Sequence, residues 1–148
     1  MNRPTGRVKP TGSITRGTTA PNRLRRIDRW LIDRECSRLR SLESPLVVDL
    51  GYGASPVTAG ELRDRLQQHV SPDISVVGVE IDPARVADAQ PLTDESLTFI
   101  HGGFELPTSA RPDVVRAANV LRQYQESDVW PAWTKLCERM QPGGLLID

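Results

Sequence analysis

The chain has 148 residues, 38% hydrophobic and 26% charged, values that fit one globular domain and exclude a disordered or collagen-like chain. No run of about 18 apolar residues occurs, so no membrane span is expected. The Arg-rich opening holds no apolar core of a secretory signal, which makes a cytoplasmic location the expectation. Cys36 and Cys137 then read as reduced, buried thiols without metal-ligand spacing. No metal site is expected.

A net charge of zero conceals a split. Residues 1–40 carry 11 Lys and Arg against 3 Asp and Glu, whereas residues 41–148 carry 8 against 16. This asymmetry predicts a basic arm on an acidic body. The arm either packs on that body or meets an anionic partner such as nucleic acid, phosphate or a carboxylate.

Residues 1–21, with Pro4, Pro10 and Pro21 among Gly, Ser and Thr, predict an extended, flexible arm; residues 22–148 form the domain. Asn22 or a neighbour caps a helix with Leu24, Ile27, Leu31, Ile32, Cys36 and Leu39 on its apolar face. Arg25, Arg26, Asp28, Arg29, Asp33 and Arg34 fall on its wet side. Ser44-Pro45 ends it. Leu46–Leu50 is a short continuous apolar run, as expected of a strand buried on both faces. Gly51-Tyr52-Gly53 turns the chain into a helix from Thr58 to Val70, with Ala59, Leu62, Leu66 and Val70 in a stripe.

Ile74–Ile81 is a second strand run. Asp82-Pro83 then starts a short helix, with Asp as the cap and Pro at the first helical position. That helix is expected to stop at Pro91. Leu97–Ile100 and 113–118 are the third and fourth strands. Ser127 is expected to cap a helix whose face is Val129, Trp133, Leu136, Cys137 and Met140, and Leu145–Ile147 begins a fifth strand. Alternating strands and helices predict an α/β fold with a doubly wound, mostly parallel sheet.

Two features carry chemistry. Asp49-Leu50-Gly51-Tyr52-Gly53 places a glycine turn between a strand and a helix, where backbone can approach a ligand. Glu80 stands at the tip of the next strand, where a carboxylate can accept both hydroxyls of a ribose. Pro56 occupies the third glycine position of the dinucleotide fingerprint, which argues against a nicotinamide enzyme.

These motifs, with Asp82-Pro83, Gly102–Pro107, the stretch from Asp113 to Leu121 and Met140–Ile147, occur in one order over residues 46–148. In that order the chain resembles the class I S-adenosylmethionine (SAM) dependent methyltransferases. Thr15–Thr19 and Asn22–Arg26 resemble the leader of an actinobacterial group of them. The resemblance implies strand order 3-2-1-4-5, SAM as cofactor and methyl transfer. It assigns Gly51, Tyr52 and Gly53 to the turn around the methionine part of SAM, and Asp49 to its ammonium. Glu80 is assigned to the ribose and Ile81 to a face of the adenine. The Phe104 N–H and Glu105 go to the adenine edge, and Asn119 to a place beside the sulfonium. Gly103 departs from the Asp frequent at its position.

The family's sheet also continues past the fifth strand. A chain that stops there is expected to be truncated and poorly stable, and to self-associate through the open edge of that strand. A small-molecule acceptor is expected. The arm has Trp30 but no Gly/aromatic stacking pattern, so an RNA acceptor ranks below it. The Asn-Pro-Pro-aromatic tetrad of amino-methylating DNA enzymes is absent after Asn119. No catalytic base is assigned: His101 reads as a structural histidine before a base, and Tyr124 lines the acceptor side or simply packs. Arg16 and Arg23 flank a Gly-Thr-Thr able to fold over the crevice as a lid. The competing reading is a non-catalytic SAM-binding module.

Overall fold

The computed structural model describes residues 9–148, so residues 1–8 of the expected arm lie outside the described residues. The elements in chain order are α1 (Arg25–Arg40), β1 (Leu46–Leu50), α2 (Val57–His69), β2 (Ser75–Glu80), α3 (Pro83–Ala89), β3 (Leu97–His101), β4 (Val114–Arg116), α4 (Glu126–Arg139) and β5 (Leu145–Ile147). The strands form one sheet in the expected order β3-β2-β1-β4-β5, and every pairing is parallel.

Side-chain alternation along each strand sorts the apolar residues into two cores. Val47, Val76, Phe99 and Val114 face α1 and α2, where Leu31, Leu39, Leu62 and Leu66 pack on them. Val48, Val79 and Val115 face the other way, against Ala132 and Leu136 of α4. Covering both faces is what allows strands as apolar as β1.

Several local expectations are corrected. Asp28 is fully buried rather than on the wet side of α1. Its place follows from the period: Leu24, Asp28, Leu31, Glu35 and Leu39 recur every three or four residues, and all five are buried. No side chain caps α1, and Asn22 instead accepts from Arg65 through its side chain. As expected, α3 ends short of Pro91, at Ala89, and Pro91 enters a 3-10 turn, Gln90–Leu92, where its missing N–H costs nothing. Asp82 does cap α3, accepting from the Ala84 N–H at 2.9 Å. The fourth helix starts at Glu126 with Gln125 as its N-cap, so Ser127 is not the cap. Its buried stripe is Ala132, Leu136 and Met140, a rotation that leaves Cys137 exposed, contrary to expectation. Among the described residues, no helix is long and apolar enough to cross a membrane.

Candidate functional site

The sheet order reverses at β1, with β2 on one side and β4 on the other. A crevice opens there at the C-terminal strand ends. The Gly51–Gly53 turn lies at its centre. Gly51 has φ +68° and Gly53 has φ +91°, a region that glycine enters without steric cost. Space is also short: a Cβ on Gly51 would lie 2.7 Å from Val120, and one on Gly53 2.7 Å from the Gly17 carbonyl oxygen. Tyr52 is buried between the glycines. Its ring meets Phe99 edge-on and its hydroxyl donates to the Arg85 carbonyl. Burial, with Glu80 and Asp49 nearby, raises its pKa, so it stays a phenol.

Glu80 is 2% exposed at the tip of β2. One carboxylate oxygen accepts from Gly53 N–H at 3.1 Å; the other accepts from Ile81 and Asp82 N–H at 3.0 and 3.1 Å. Arg85 stands 3.6 Å from the first oxygen. Glu80 therefore ties the glycine turn to the second strand at the rim of the crevice.

Asp49 is committed elsewhere. It pairs in register with Arg116 of β4, and both side chains point to the α1/α2 face. Arg116 donates to both Asp49 oxygens at 3.0 and 2.8 Å and also to Asp28, and Thr58 adds a hydroxyl bond at 3.2 Å. Burial alone would lower the Arg116 pKa. The Asp49 and Asp28 carboxylates more than offset it, and the guanidinium is held above its usual range. Sequence reasoning missed this triad. Its signal was a lone arginine inside the apolar run Val114–Ala118, which requires buried anions.

Residues 11–17 lie as a strap across the crevice. Thr11 accepts from the Phe104 N–H at 2.9 Å and donates its own N–H to Glu105 at 2.7 Å. One acceptor beside one donor is also the pattern of an adenine edge, so Thr11 occupies the pair assigned to adenine. Tyr124 accepts from Ser13 N–H at 2.8 Å and donates to Ser13 O at 2.9 Å. Arg85 donates to Thr15 O, and Ala54 N–H donates to Gly17 O at 2.9 Å. Tyr124 thus braces the strap. His101 is exposed, with Nε2 2.9 Å from the Ile81 carbonyl, a structural contact.

The strap divides the crevice. Glu80, Ile81, Gly103 and Phe104 line a remnant of about 20 Å³, under Thr11, Ser13 and Thr15. Asn119 lines a cavity of about 600 Å³ with the glycine turn, under Arg16, Gly17 and Thr18. Gly51 and Val120 belong to both, so Glu80 and Asn119 stand on two sides of one turn. Asn119 has φ +61°, and its carbonyl accepts from Gln123. The smaller space holds about one water. Thr11, which lines it with Phe104, bonds both the Phe104 N–H donor and the Glu105 acceptor. Among the described residues, no group of three or more His, Cys, Asp or Glu is placed to hold a metal ion.

No family model matches the chain, and a comparison with curated proteins gives no match. Solved structures match in fold. Magnesium protoporphyrin IX methyltransferase from Synechocystis PCC 6803 with bound SAM superposes with TM-score 0.58 at 18% identity, over 80% of this chain and 53% of that one. A SAM-bound amino pentose methyltransferase from Micromonospora echinaspora, involved in calicheamicin biosynthesis, gives 0.56 at 17%, over 88% and 51%. A pericyclic reaction enzyme gives 0.60 at 16%, over 78% and 30%. This chain thus spans about half the length of the first two and less of the third. Sheet order and likeness together define the class: an α/β chain with the class I methyltransferase fold.

Proposed function

We propose that this chain binds SAM and transfers a methyl group to a small-molecule acceptor. The observation that carries the reading is the glycine turn at the strand switch point, with Glu80 on one side and Asn119 on the other. The neighbours crystallised with SAM support it.

SAM supplies a methyl group on a sulfonium sulfur, an activated carbon that needs an aligned nucleophile more than a strong base. Gly51, Tyr52 and Gly53 present backbone to its methionine part. Glu80 takes the ribose hydroxyls, and Ile81 flanks the adenine. Phe104 N–H and Glu105 take the adenine edge once Thr11 has left them. Asn119 stands at the reacting end. Asp49, at the head of the glycine turn, acts as a positioning residue for that turn rather than on the ammonium. The Gly17 end of the strap stays as a lid that keeps water out. We place the protein in the cytoplasm and, from its leader, with the actinobacterial group.

One observation favours the second reading, a non-catalytic SAM-binding module: Thr11 already bonds the Phe104 N–H and Glu105, the pair proposed for adenine. Calorimetry with S-adenosylhomocysteine (SAH), with NAD as control, tests cofactor binding. Methyl release from labelled SAM to a panel of small acceptors separates the enzyme from the module. An unaltered chain that binds NAD and not SAH would overturn both readings.

A further inference from the structure

The cavity of about 600 Å³ beside Asn119 is walled by Arg16, Arg23 and Arg122, and no Asp or Glu lines it. Among the described residues, none of these three guanidiniums takes part in an ion pair, whereas Arg34, Arg38, Arg63, Arg65, Arg85 and Arg116 all do. The lack of acid runs against the local composition, since residues 41–148 carry 16 Asp and Glu against 8 Lys and Arg.

The backbone that bears these arginines is fixed. Arg16 N–H donates to Gln123 Oε1 at 2.9 Å, and Gln123 Nε2 donates to the Asn119 carbonyl at 2.8 Å. One side chain thereby holds Arg16 against the turn that carries Arg122. Next to Arg23, Asn22 donates its N–H to Glu61 at 2.8 Å and accepts from Arg65 at 2.9 Å. The three arginines are exposed and, among the described residues, their guanidiniums have no ion-pair partner; Arg forks match carboxylate and phosphate oxygens.

We propose that this cavity receives an acidic acceptor, a small molecule bearing carboxylate or phosphate groups, held by Arg16, Arg23 and Arg122. The assignment rests on the methyltransferase reading. Three like charges around one cavity repel each other and a cationic sulfonium. An anionic acceptor removes both penalties and lies against Asn119, where transfer takes place. The cofactor's single carboxylate is balanced by its own ammonium and does not account for three cations.

The test uses citrate and inorganic phosphate as probes, in calorimetry of the full chain with and without SAH. The variants are Arg16→Gln, Arg122→Gln and the double variant, with folding checked by circular dichroism. Citrate is expected to bind the unaltered chain, more weakly as salt rises. The double variant should lose about tenfold or more in citrate affinity, the scale of charge-assisted bonds, while SAH affinity stays within about twofold. No citrate binding to the unaltered chain, or unchanged binding in the double variant, overturns the proposal.

5′-Methylthioadenosine, which lacks the methionine carboxylate, separates the two sources of the anion. If the double variant weakens SAH and leaves methylthioadenosine unchanged, the arginines hold the cofactor and the acidic acceptor falls. Failure of the unaltered chain to bind SAH, with citrate binding intact, removes the methyltransferase reading and the acceptor role, and leaves an anion site only.

Discussion

Arg116 grips Asp49 through two N–H donors at 3.0 and 2.8 Å, and neither side chain is more than 2% exposed. The same guanidinium reaches Asp28 on α1, so one residue ties β1, β4 and α1 together. Removing it strips Asp49 of its buried cation and leaves Asp28 with Arg65 as its remaining one. Arg116→Met is expected to cost about 3–5 kcal/mol in urea unfolding. Asp49→Asn should lower stability and SAH affinity together, because Asp49 works through the turn. A loss of affinity at unchanged stability would instead place Asp49 on the ligand.

Glu80 collects three backbone N–H groups, and its carboxylate charge is what all three favour. Glu80→Gln keeps the shape but puts an amide N–H against one of these donors. SAH affinity is expected to fall by about 1–3 kcal/mol with the fold retained, read by calorimetry and circular dichroism.

Thr11 bonds the Phe104 N–H and Glu105, and on the proposed reading an adenine edge competes for the same pair. Competition of this kind reduces apparent affinity by the fraction of chains in which the site is open. A chain lacking residues 1–12 is therefore expected to bind SAH several-fold more tightly. At the other end of the strap, SAH should slow tryptic cleavage after Arg16, since the Gly17 anchor closes over the ligand. An unchanged SAH affinity in the shortened chain would show that Thr11 does not guard the site.

Gly53→Ala drives a Cβ to 2.7 Å from the Gly17 carbonyl at a backbone φ of +91°. Strap and turn cannot both keep their places. Tryptic cleavage after Arg16 should accelerate, and stability should fall by about 1 kcal/mol or more.

Cys137 is exposed on α4, whereas Cys36 is half-buried with its thiol 3.6 Å from the His69 carbonyl. An aromatic disulfide reagent is expected to label one thiol quickly in the native protein and the second only on unfolding. Mass mapping should find the fast label on Cys137.

Periodicity and punctuation were enough for the parallel sheet and the position of the glycine turn, whereas the strand order came from the resemblance to the methyltransferases. Leu46–Leu50 has no polar side chain before Asp49, and Gly51 and Gly53 follow it directly, so strand, turn and helix are local properties of the chain. Asp82-Pro83 fixed the start of α3 in the same local way. The sequence also pointed to Glu80, because a strand's end carries its last side chain to the sheet rim. It did not show what Asp28, Asp49 and Thr11 touch. Asp28 meets a residue 88 positions away, Asp49 one 67 away and Thr11 one 94 away. A charged residue on a helix reads as solvated until a counter-charge is known to face it, and only the register of β1 with β4 brings Arg116 there. Likewise, the basic arm could be seen in the charge balance. That its peptide backbone bonds the Phe104 N–H and Glu105, while its arginines line the cavity next door, depends on hydrogen bonds that no local pattern encodes, because every peptide carries the same donor and acceptor.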